Sequence, residues 1–429
     1  MKQSNYSEII KTIHREVVPA IGCTEPIAVA LCTAQAVKIL GSQPTKIDVS
    51  LSPNIYKNAM GVGIPNTGMT GLPIAIALGA TIGDAAAGLE VLRRTDKDAV
   101  EVAKAYIEQH PIKIDINTET DQILYIEVVV SDGSETASAT IEGTHTNFTK
   151  MCRNGLPISE SSASGSHDES DCQEQSLNLS LRDVYDFAMN VPIEDIEFVW
   201  ESAVMNKRAA EISFTGDYGH GLGRLLHDKP QGSIFGKTLF TKILSYTSGA
   251  CDARMSGAMV PVMSNSGSGN QGISATIPVV IFGEEHNASH EELVRALTLS
   301  HLTVIYIKES LGRLSALCGC VVAATGSSCG ITHLMGGGYE EITYAIKNMV
   351  ANITGMICDG AKPSCSLKVT SGVATAILSA ALAMEHRHTT STEGIIDDDV
   401  DVCIRNLTDI GRCGMRETDR LILEIMRNK

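Results

Sequence analysis

A cysteine-rich region in the last third of the sequence constrains this chain more than any other feature. Cys318 and Cys320 flank a single glycine, and Cys358 and Cys365 follow after a helix-like segment. Because these cysteines lie among glycines, we expect them to converge on one centre rather than to fill a core. Thiolate sulfur binds both iron and zinc well, so the pattern predicts an iron–sulfur cluster or a zinc site. We favour a cluster held by three cysteines, with one iron open to substrate.

The length and charge of the chain limit its architecture and partners. It has 429 residues and a formal net charge of −16. A chain of this length is too long for one small core, so we expect two or three subdomains. The acidic balance argues against nucleic acid and against an anionic membrane as partners, because both require a basic face. A small anionic substrate needs only one or two basic residues.

The sequence gives no sign of export or membrane insertion. Residues 1–5 lack the apolar run of a signal peptide. The longest apolar stretches, such as residues 72–83, are shorter than the roughly 18 residues of a membrane span. The 12 cysteines are expected to stay reduced in this setting, so a disulfide framework explains them poorly. We therefore predict a soluble, cytoplasmic protein.

Hydrophobic periodicity predicts an α+β fold with a mainly helical core. Residues 1–154 begin with an amphipathic helix and then contain several short segments that alternate or are rich in β-branched residues, which predicts a small α/β subdomain with a short sheet. Residues 155–180 are rich in Ser, Glu, Asp and Gln, as is typical of a polar linker or loop. Residues 181–429 are predicted to form a helical domain that carries the clustered cysteines.

An isolated cysteine near the N-terminus is a candidate reactive group. Gly22 ends the first helix, Thr24 can cap the next one, and Pro26 suits its first turn. Cys23 is therefore predicted to lie at a helix N-terminus, where the macrodipole stabilises a thiolate and lowers its pKa. The alternative is a small apolar residue in a turn.

Two glycine-rich loops are candidate ligand-binding segments. Each precedes an apolar helix and offers backbone N–H groups, hydroxyls and amides, which suit a carboxylate, a phosphate or another small polar ligand. Glycine loops that merely turn the chain are the alternative. The candidate residues in and around these loops are Lys57, Asn58, Asn66, Thr67, Ser266, Ser268 and Asn270.

Several of these motifs resemble one known family. The segments around Cys320, Cys358 and Cys365 resemble the iron–sulfur L-serine dehydratase alpha-chain superfamily. Within it the chain is most similar to the L-cysteine desulfidase branch and its uncharacterised bacterial relatives. The segments that fit this branch are residues 21–26, 57–60 and 265–272. The resemblance covers nearly the whole chain, and its motifs are specific in combination.

The resemblance implies a cofactor and a ligand set. It implies a [4Fe-4S] cluster bound by Cys358, Cys365 and either Cys320 or Cys318, of which we prefer Cys320 because it directly precedes a small-residue helix. It leaves Cys329 without a role. It also suggests Cys23 as the residue that handles a proton at the active site, in a mainly helical core like that of serine dehydratases. We further expect a homo-oligomer.

An open iron position acts as a Lewis acid, and a nearby thiolate can remove the α-proton of an amino acid that carries a β-leaving group. Elimination from L-cysteine would give sulfide and aminoacrylate, which water hydrolyses to pyruvate and ammonia. The hydroxyls and amides named above would hold the substrate, with Lys57 or Lys362 as a countercharge. L-Serine is the alternative substrate. A zinc- or cluster-binding sensor or structural protein without turnover is the alternative from another class.

Overall fold

The computed structural model describes residues 4–120, 122–158, 177–228, 234–312 and 315–428. Helices predominate over these residues, and the strands form a six-stranded sheet and a two-stranded ribbon. The predicted α+β class with a mainly helical core is therefore confirmed.

The helices and strands of the described residues have the following bounds. The helices are α1 (Ser4–Glu16), α2 (Thr24–Leu40), α3 (Pro53–Ala59), α4 (Leu72–Thr81), α5 (Lys97–Gln109), α6 (Leu181–Asn190), α7 (Trp200–Thr215), α8 (Leu222–Asp228), α9 (Leu239–Met255), α10 (Gly269–Glu285), α11 (His290–Leu311), α12 (Gly319–Leu334), α13 (Tyr339–Ile353), α14 (Cys365–Met384), α15 (Val400–Asp409) and α16 (Arg416–Arg427). The strands are β1 (Pro19–Ile21), β2 (Lys46–Leu51), β3 (Ile112–Ile116), β4 (Tyr125–Ser131), β5 (Thr136–Glu142), β6 (Phe148–Arg153), β7 (Leu156–Pro157) and β8 (Pro261–Met263).

Strands β2 to β7 and the helices packed on them form what we call the sheet body. The strand order is β3-β2-β4-β5-β6-β7, with β2 and β3 parallel and the other neighbours antiparallel. Ile126, Val128 and Val130 of β4 are fully buried, whereas the residues between them are partly exposed. This alternation is expected of a sheet that is covered on one face. Helix α2 covers that face, and α4 packs against α2.

Helices α6 to α15 form what we call the helical body. Nearly all residues of α10 and α12 are buried, as is typical of helices that are apolar on every side and lie inside a core. Helix α12 packs against α10, α11 and α14. Helix α14 is long and apolar enough to cross a membrane by length and composition alone, but core helices pass the same test, and α14 packs against α9, α12 and α13.

Both ends of the chain connect the two bodies. Ile9 and Ile13 of α1 are part of the core of the helical body. Leu423 and Met426 of α16 pack against the core of the sheet body. Strand β1 pairs with β8, which joins the segment before α2 to the segment before α10. As a result, the start of α2 lies beside the start of α10.

The predicted domain division stays a prediction. Most of the predicted linker, residues 159–176, lies outside the described residues. Its first part is not a linker, because Leu156–Pro157 forms the edge strand β7 next to β6. The predicted boundaries 1–154 and 181–429 also separate segments that pack together, since α1 contributes to the helical core.

Candidate functional site

A cavity of about 590 Å³ lies at the junction of the two bodies. We call it the cysteine cavity, because five cysteines from three separate parts of the sequence line it. They are Cys23, Cys318, Cys320, Cys358 and Cys365. The predicted convergence of the cysteine-rich region is therefore observed in the fold, and the Cys23 turn faces the same space.

Four long helices begin at this cavity. Cys23 is the N-cap of α2, Ser268 is the N-cap of α10, Cys318 is the N-cap of α12, and Cys365 is the first residue of α14. Each helix start carries unpaired N–H groups and the positive end of a macrodipole. The cavity is therefore suited to anions, whether thiolates or the carboxylate of a small molecule.

Backbone pairing brings the two halves of the cysteine-rich region together. Leu317 and Ile357 form an isolated antiparallel bridge. The Cys318 N–H donates to the Met356 carbonyl at 2.9 Å, and the Cys358 N–H donates to the Ala316 carbonyl at 2.6 Å. This pairing places Cys318 and Cys358 side by side, although helices α12 and α13 separate them in the sequence.

The loop from Cys358 to Cys365 is held against α3. Gly360 has a φ of +93°, and any side chain there would collide with the Lys57 carbonyl. Only glycine suits this combination of a left-handed backbone and a close approach. The Cys365 thiol donates to the Gly360 carbonyl at 3.5 Å, so the loop folds back on itself toward the cavity.

A carboxylate outside the cavity fastens the same loop. Lys362 and Lys368 both pair with Asp359, the first at 2.5 Å. Although burial opposes ionisation, the hydrogen bonds from these lysines lower the pKa of Asp359 to about 2. Lys362 thus serves the loop, and it is absent from the described residues that line the cysteine cavity.

The thiols of the cavity are close to one another, and all are buried except that of Cys358, which is partly exposed. Contact with Cys320 raises the pKa of Cys318, and contact with Cys318 together with burial raises that of Cys358. Burial raises the pKa of Cys365, against the opposing charge of Lys362. A further thiol in this region, Cys251 on α9, is fully buried behind the cavity. Burial and the neighbouring Cys365 raise its pKa.

The donor set fits an iron–sulfur cluster better than a closed zinc site. Within the described ranges, no three or more His, Cys, Asp or Glu side chains converge on the position of one metal ion. A structural zinc ion requires four ligands at roughly 2.3 Å from a single point. A cluster contains several iron atoms, so its cysteine ligands lie around a volume rather than around one atom, and soft thiolates are the ligands that it uses. Four thiols of the cysteine-rich region around one cavity meet that requirement.

Cys23 lies where the sequence predicts, but its acidity is the opposite of the prediction. It is the N-cap of α2 and is 6% exposed. Its thiol donates to Glu25 Oε2 at 2.9 Å, and Asn58 Nδ2 donates to Glu25 Oε1 at 3.4 Å. Burial and the Glu25 charge raise the pKa of Cys23 well above its usual value, against the opposing charge of Arg254. The predicted lowering of this pKa is therefore wrong.

A histidine from the sheet body completes this side of the cavity. His145 lies in the turn between β5 and β6 and lines the cavity beside Cys23. Its Nε2 lies 3.3 Å from Thr24 Oγ1. Burial lowers the pKa of His145, so the imidazole is neutral at neutral pH.

The loop before α10 supplies the polar wall. Ser266, Ser268 and Asn270 all line the cavity, together with Gln271. Ser268 Oγ accepts from the Gln271 N–H at 3.4 Å and so caps α10. The predicted polar loop is therefore part of the same cavity as the cysteines.

Arg254, at the end of α9, is buried in this wall with neutral partners. It is 6% exposed. Its Nη2 donates to the Gly22 carbonyl at 3.1 Å, and its Nη1 donates to Asn270 Oδ1 at 3.2 Å. Its Nε has no hydrogen-bond partner in the described part of the chain.

The remaining predicted ligand residues divide between two places. Lys57 and Asn58 line the cysteine cavity, and Lys57 Nζ also pairs with Asp419 Oδ1 at 2.6 Å. Asn66 and Thr67 are not among the described residues that line it. Asn66 donates to the Thr95 carbonyl at 3.4 Å, and Thr67 closes its own turn by donating to the Ile64 carbonyl at 2.7 Å.

Sequence reasoning missed four residues that the fold brings to the site or directly behind it. They are His145, Cys251, Arg254 and Gln271. Arg254 had a detectable signal, since a charged residue follows a run of small residues in α9 just before the polar loop. Gln271 lies within the segment 265–272 that the sequence analysis names, in the first turn of α10. His145 and Cys251 had no detectable signal in the sequence, because a histidine in a turn and a cysteine in a helix are common and rarely indicate a site.

Comparisons with known proteins assign the chain to a family. A sequence model described as serine dehydratase alpha chain matches residues 86–424. A UPF0597 protein of Bacteroides fragilis is 59% identical over 429 residues, and one of Porphyromonas gingivalis is 55% identical over 436 residues, with all of both chains covered in each case. A UPF0597 protein of Shewanella pealeana is 44% identical, again with all of both chains covered. The chain therefore belongs to the serine dehydratase alpha chain family.

Proposed function

We propose that this protein is an iron–sulfur-dependent lyase that degrades L-cysteine to pyruvate, ammonia and sulfide. One observation carries the proposal: the four thiols of the cysteine-rich region and the Cys23–Glu25 pair line the same cavity. Thiols that can bind a metal centre and a pair that can transfer a proton, lining one cavity, would supply the Lewis acid and the base that a metal-assisted β-elimination uses. Membership of the serine dehydratase alpha chain family supports a lyase.

Cys320, Cys358 and Cys365 would hold a [4Fe-4S] cluster. Cys318 stays the alternative to Cys320, because it contacts both Cys320 and Cys358. When bound by three cysteines, the cluster supplies one open iron, which acts as a Lewis acid on an oxygen or sulfur atom of the substrate. The rest of the chemistry falls to side chains of the chain itself.

Cys23 and Glu25 would work as one proton-transfer pair. Because its pKa is raised, Cys23 carries its proton at neutral pH, and this proton already points at Glu25 Oε2. In our proposal the Glu25 carboxylate accepts the proton of the Cys23 thiol. At the same time the Cys23 sulfur accepts the proton from the α-carbon of the substrate. The electrons of the broken C–H bond form the Cα–Cβ double bond, and the C–S bond breaks with its electrons on the departing sulfide. The aminoacrylate that remains is hydrolysed by water to pyruvate and ammonia. The proton on Glu25 is then available to the departing sulfide.

The polar loop would hold the substrate against this pair. Ser266, Ser268 and Asn270 offer hydroxyl and amide groups along one wall, and Asn58 lies beside Glu25. Lys57 has a different role in the proposal. Its charge is already matched by Asp419, and its backbone contacts Gly360. It would therefore position the loop from Cys358 to Cys365. Asn66, Thr67 and Lys362 have no role in it.

L-Serine is the second candidate substrate. The family model that matches the chain is described as serine dehydratase alpha chain, and a hydroxyl group can leave in the same reaction. The chain can be tested with both substrates side by side. After anaerobic reconstitution with iron and sulfide, we expect pyruvate and sulfide from L-cysteine, at a higher kcat/KM than pyruvate from L-serine.

The same assay can refute the proposal. A colourless protein that binds only zinc would remove the cluster. A coloured protein that releases pyruvate from neither amino acid would favour a sensor. A Cys413→Ser variant is a suitable control for cysteine replacement, because Cys413 is exposed and does not line the cavity.

We also propose a cytoplasmic location and a homo-oligomeric state. The location is supported by the free thiols of the described cysteines, since reduced cysteines are usual in the cytoplasm. The oligomeric state is a prediction that light scattering of the purified protein tests directly.

A further inference from the structure

The cysteine cavity contains a buried positive charge that has no counter-ion among the residues the structure describes. Arg254 is 6% exposed and lines the cavity. Its partners among the described residues are a backbone carbonyl, the Asn270 amide oxygen and the sulfur of Met255. A guanidinium group is always charged in a protein. Burying such a charge without an anion costs free energy. An anion that binds next to Arg254 would therefore be stabilised by it.

The negative groups nearby have other partners. The Glu25 carboxylate accepts from Cys23 and Asn58. Cys23 is itself a neutral thiol, because burial raises its pKa. Neither residue is therefore the permanent counter-ion of Arg254.

A helix start adds to the attraction for an anion. A side chain at Gly269, the first residue of α10, would collide with the Arg254 guanidinium. The guanidinium therefore lies directly on the N-terminal turn of a 17-residue helix. Helix N-termini favour negative groups and bind carboxylates through unpaired N–H groups.

A second buried atom in the cavity also has no hydrogen-bond partner among the described residues, but it is an acceptor rather than a donor. Gln271 is 5% exposed, and its Oε1 is buried without a hydrogen-bond partner. Of the buried side-chain nitrogen and oxygen atoms without a partner in the described chain, only Arg254 Nε and Gln271 Oε1 belong to residues that line this cavity. One is a charged donor and the other is an acceptor. An α-amino acid carries a carboxylate and an ammonium group, which match these two atoms.

We propose that Arg254, with the start of α10, binds the carboxylate of the substrate, and that Gln271 accepts a hydrogen bond from its α-ammonium group. The proposal rests on the proposed function and explains how the site would select free α-amino acids. Amides and esters of amino acids lack the carboxylate charge, and simple carboxylic acids lack the ammonium group. Both classes should therefore bind weakly.

Binding of a non-reactive amino acid tests this without turnover. L-Alanine has no leaving group, so calorimetry on the reconstituted protein reports affinity alone. We expect L-alanine to bind the wild type at least tenfold more tightly than L-alaninamide or propionate. In Arg254→Gln the affinity for L-alanine should fall by about 30-fold, the value of a hydrogen bond to a charged group, while the affinity for L-alaninamide should stay unchanged. Arg254→Lys should fall in between.

Gln271 gives an independent arm of the same experiment. Gln271→Met keeps the length of the side chain and removes its acceptor. It should weaken L-alanine binding by about tenfold and leave propionate binding unchanged. Arg208→Gln, at an exposed site on α7, is the control and should change neither affinity.

Several outcomes would overturn the inference. Equal affinity of the wild type for L-alanine and L-alaninamide would do so, as would wild-type binding of L-alanine by both Arg254 variants. Loss of the iron–sulfur absorbance in Arg254→Lys would show that the Arg254 charge is needed to retain the cluster rather than to bind the substrate. If the wild type binds L-alanine through Arg254 but releases no pyruvate from L-cysteine or L-serine, the proposed function fails while this binding site stands.

Discussion

Two cavities of similar size lie on either side of the loop that follows Cys358, and they differ in chemistry. The cysteine cavity has a volume of about 590 Å³ and is lined by five thiols, a buried arginine and the Cys23–Glu25 pair. The neighbouring cavity has a volume of about 650 Å³ and is lined largely by glycines, apolar side chains and short polar ones, including Asn66 and Pro363. Among the described residues that line this neighbouring cavity there is no thiol and no arginine, although Asp217 gives it one carboxylate. Volume alone does not identify a site. Buried polar and charged groups without a hydrogen-bond partner or counter-ion are the better indication.

The largest effect is expected from removal of a cluster ligand. Cys358→Ser should abolish activity and the iron–sulfur absorbance, because serine oxygen is a poor substitute for thiolate sulfur at iron. Cys413→Ser, the exposed control, should retain both. Iron analysis and visible absorbance after identical reconstitution check this prediction. A tightly bound cluster in Cys358→Ser would remove this residue from the ligand set.

Removal of the proton-handling thiol should have the next largest effect. Cys23→Ala should lower kcat for L-cysteine by about 10²- to 10⁴-fold, the usual contribution of a general base, and leave the cluster absorbance intact. The activity loss should be mainly in kcat, since the thiol is not required to bind the substrate. Steady-state kinetics of the reconstituted variant test this, and full activity in Cys23→Ala would contradict the assignment.

The Glu25 carboxylate should control the pH dependence of Cys23. Its charge and its hydrogen bond both raise the pKa of the thiol, so Glu25→Gln should lower that pKa. The rate of Cys23 alkylation by iodoacetamide follows the thiolate fraction. Its rise with pH should therefore begin at a lower pH in Glu25→Gln than in the wild type. An unchanged profile would show that Glu25 does not influence the thiol.

The buried ion pair between Lys57 and Asp419, next to the loop from Cys358 to Cys365, should matter less for activity than for stability. Asp419→Asn leaves the Lys57 ammonium, which is 2% exposed, without its counter-ion. Removing one partner of a buried pair costs on the order of 3 kcal/mol, and less here because Asp419 is partly exposed. We expect a lower Tm and a loss of activity of a few-fold, measured by calorimetry and by the lyase assay. An unchanged Tm would show that the pair does not support the loop.

The smallest effect is expected in the neighbouring cavity. Asn66 has a φ of +62°, so Asn66→Gly removes the side chain without backbone strain. This variant should keep wild-type kcat and KM. A large increase in KM would return Asn66 to the substrate site and weaken the distinction between the two cavities.

The sequence predicts local structure well and the meeting of distant groups only in part. Pro26 correctly predicts the start of α2, and hence the position of Cys23, whereas Gly22 does not end the first helix, because α1 ends at Glu16 and strand β1 precedes Gly22. The glycine-spaced cysteines correctly predict convergence, because such a pattern has little value for packing alone. Arg254 and His145 could not be placed, since their approach depends on how α9 and the β5–β6 turn pack on other elements.

The pKa of Cys23 shows why local reasoning reached the wrong conclusion. A helix N-terminus stabilises a thiolate by about 0.3–1 kcal/mol at an exposed site. Full burial shifts a pKa by up to about 3–5 units, and each unit corresponds to about 1.4 kcal/mol. Burial at Cys23 arises from the contact of the two bodies, which the local sequence does not reveal. Tertiary structure therefore has the stronger influence on this pKa. Lys362 is a similar case, because Asp359 neutralises it within its own loop.

The central claim is that a cluster and the Cys23 pair face one substrate. The Cys23→Ala variant tests it most directly, because substrate should bind there without being consumed. We predict that addition of L-cysteine or L-serine changes the electron paramagnetic resonance spectrum of the reduced cluster in this variant, and that L-alaninamide does not. An identical spectrum at saturating amino acid would place the substrate away from the iron and contradict the account.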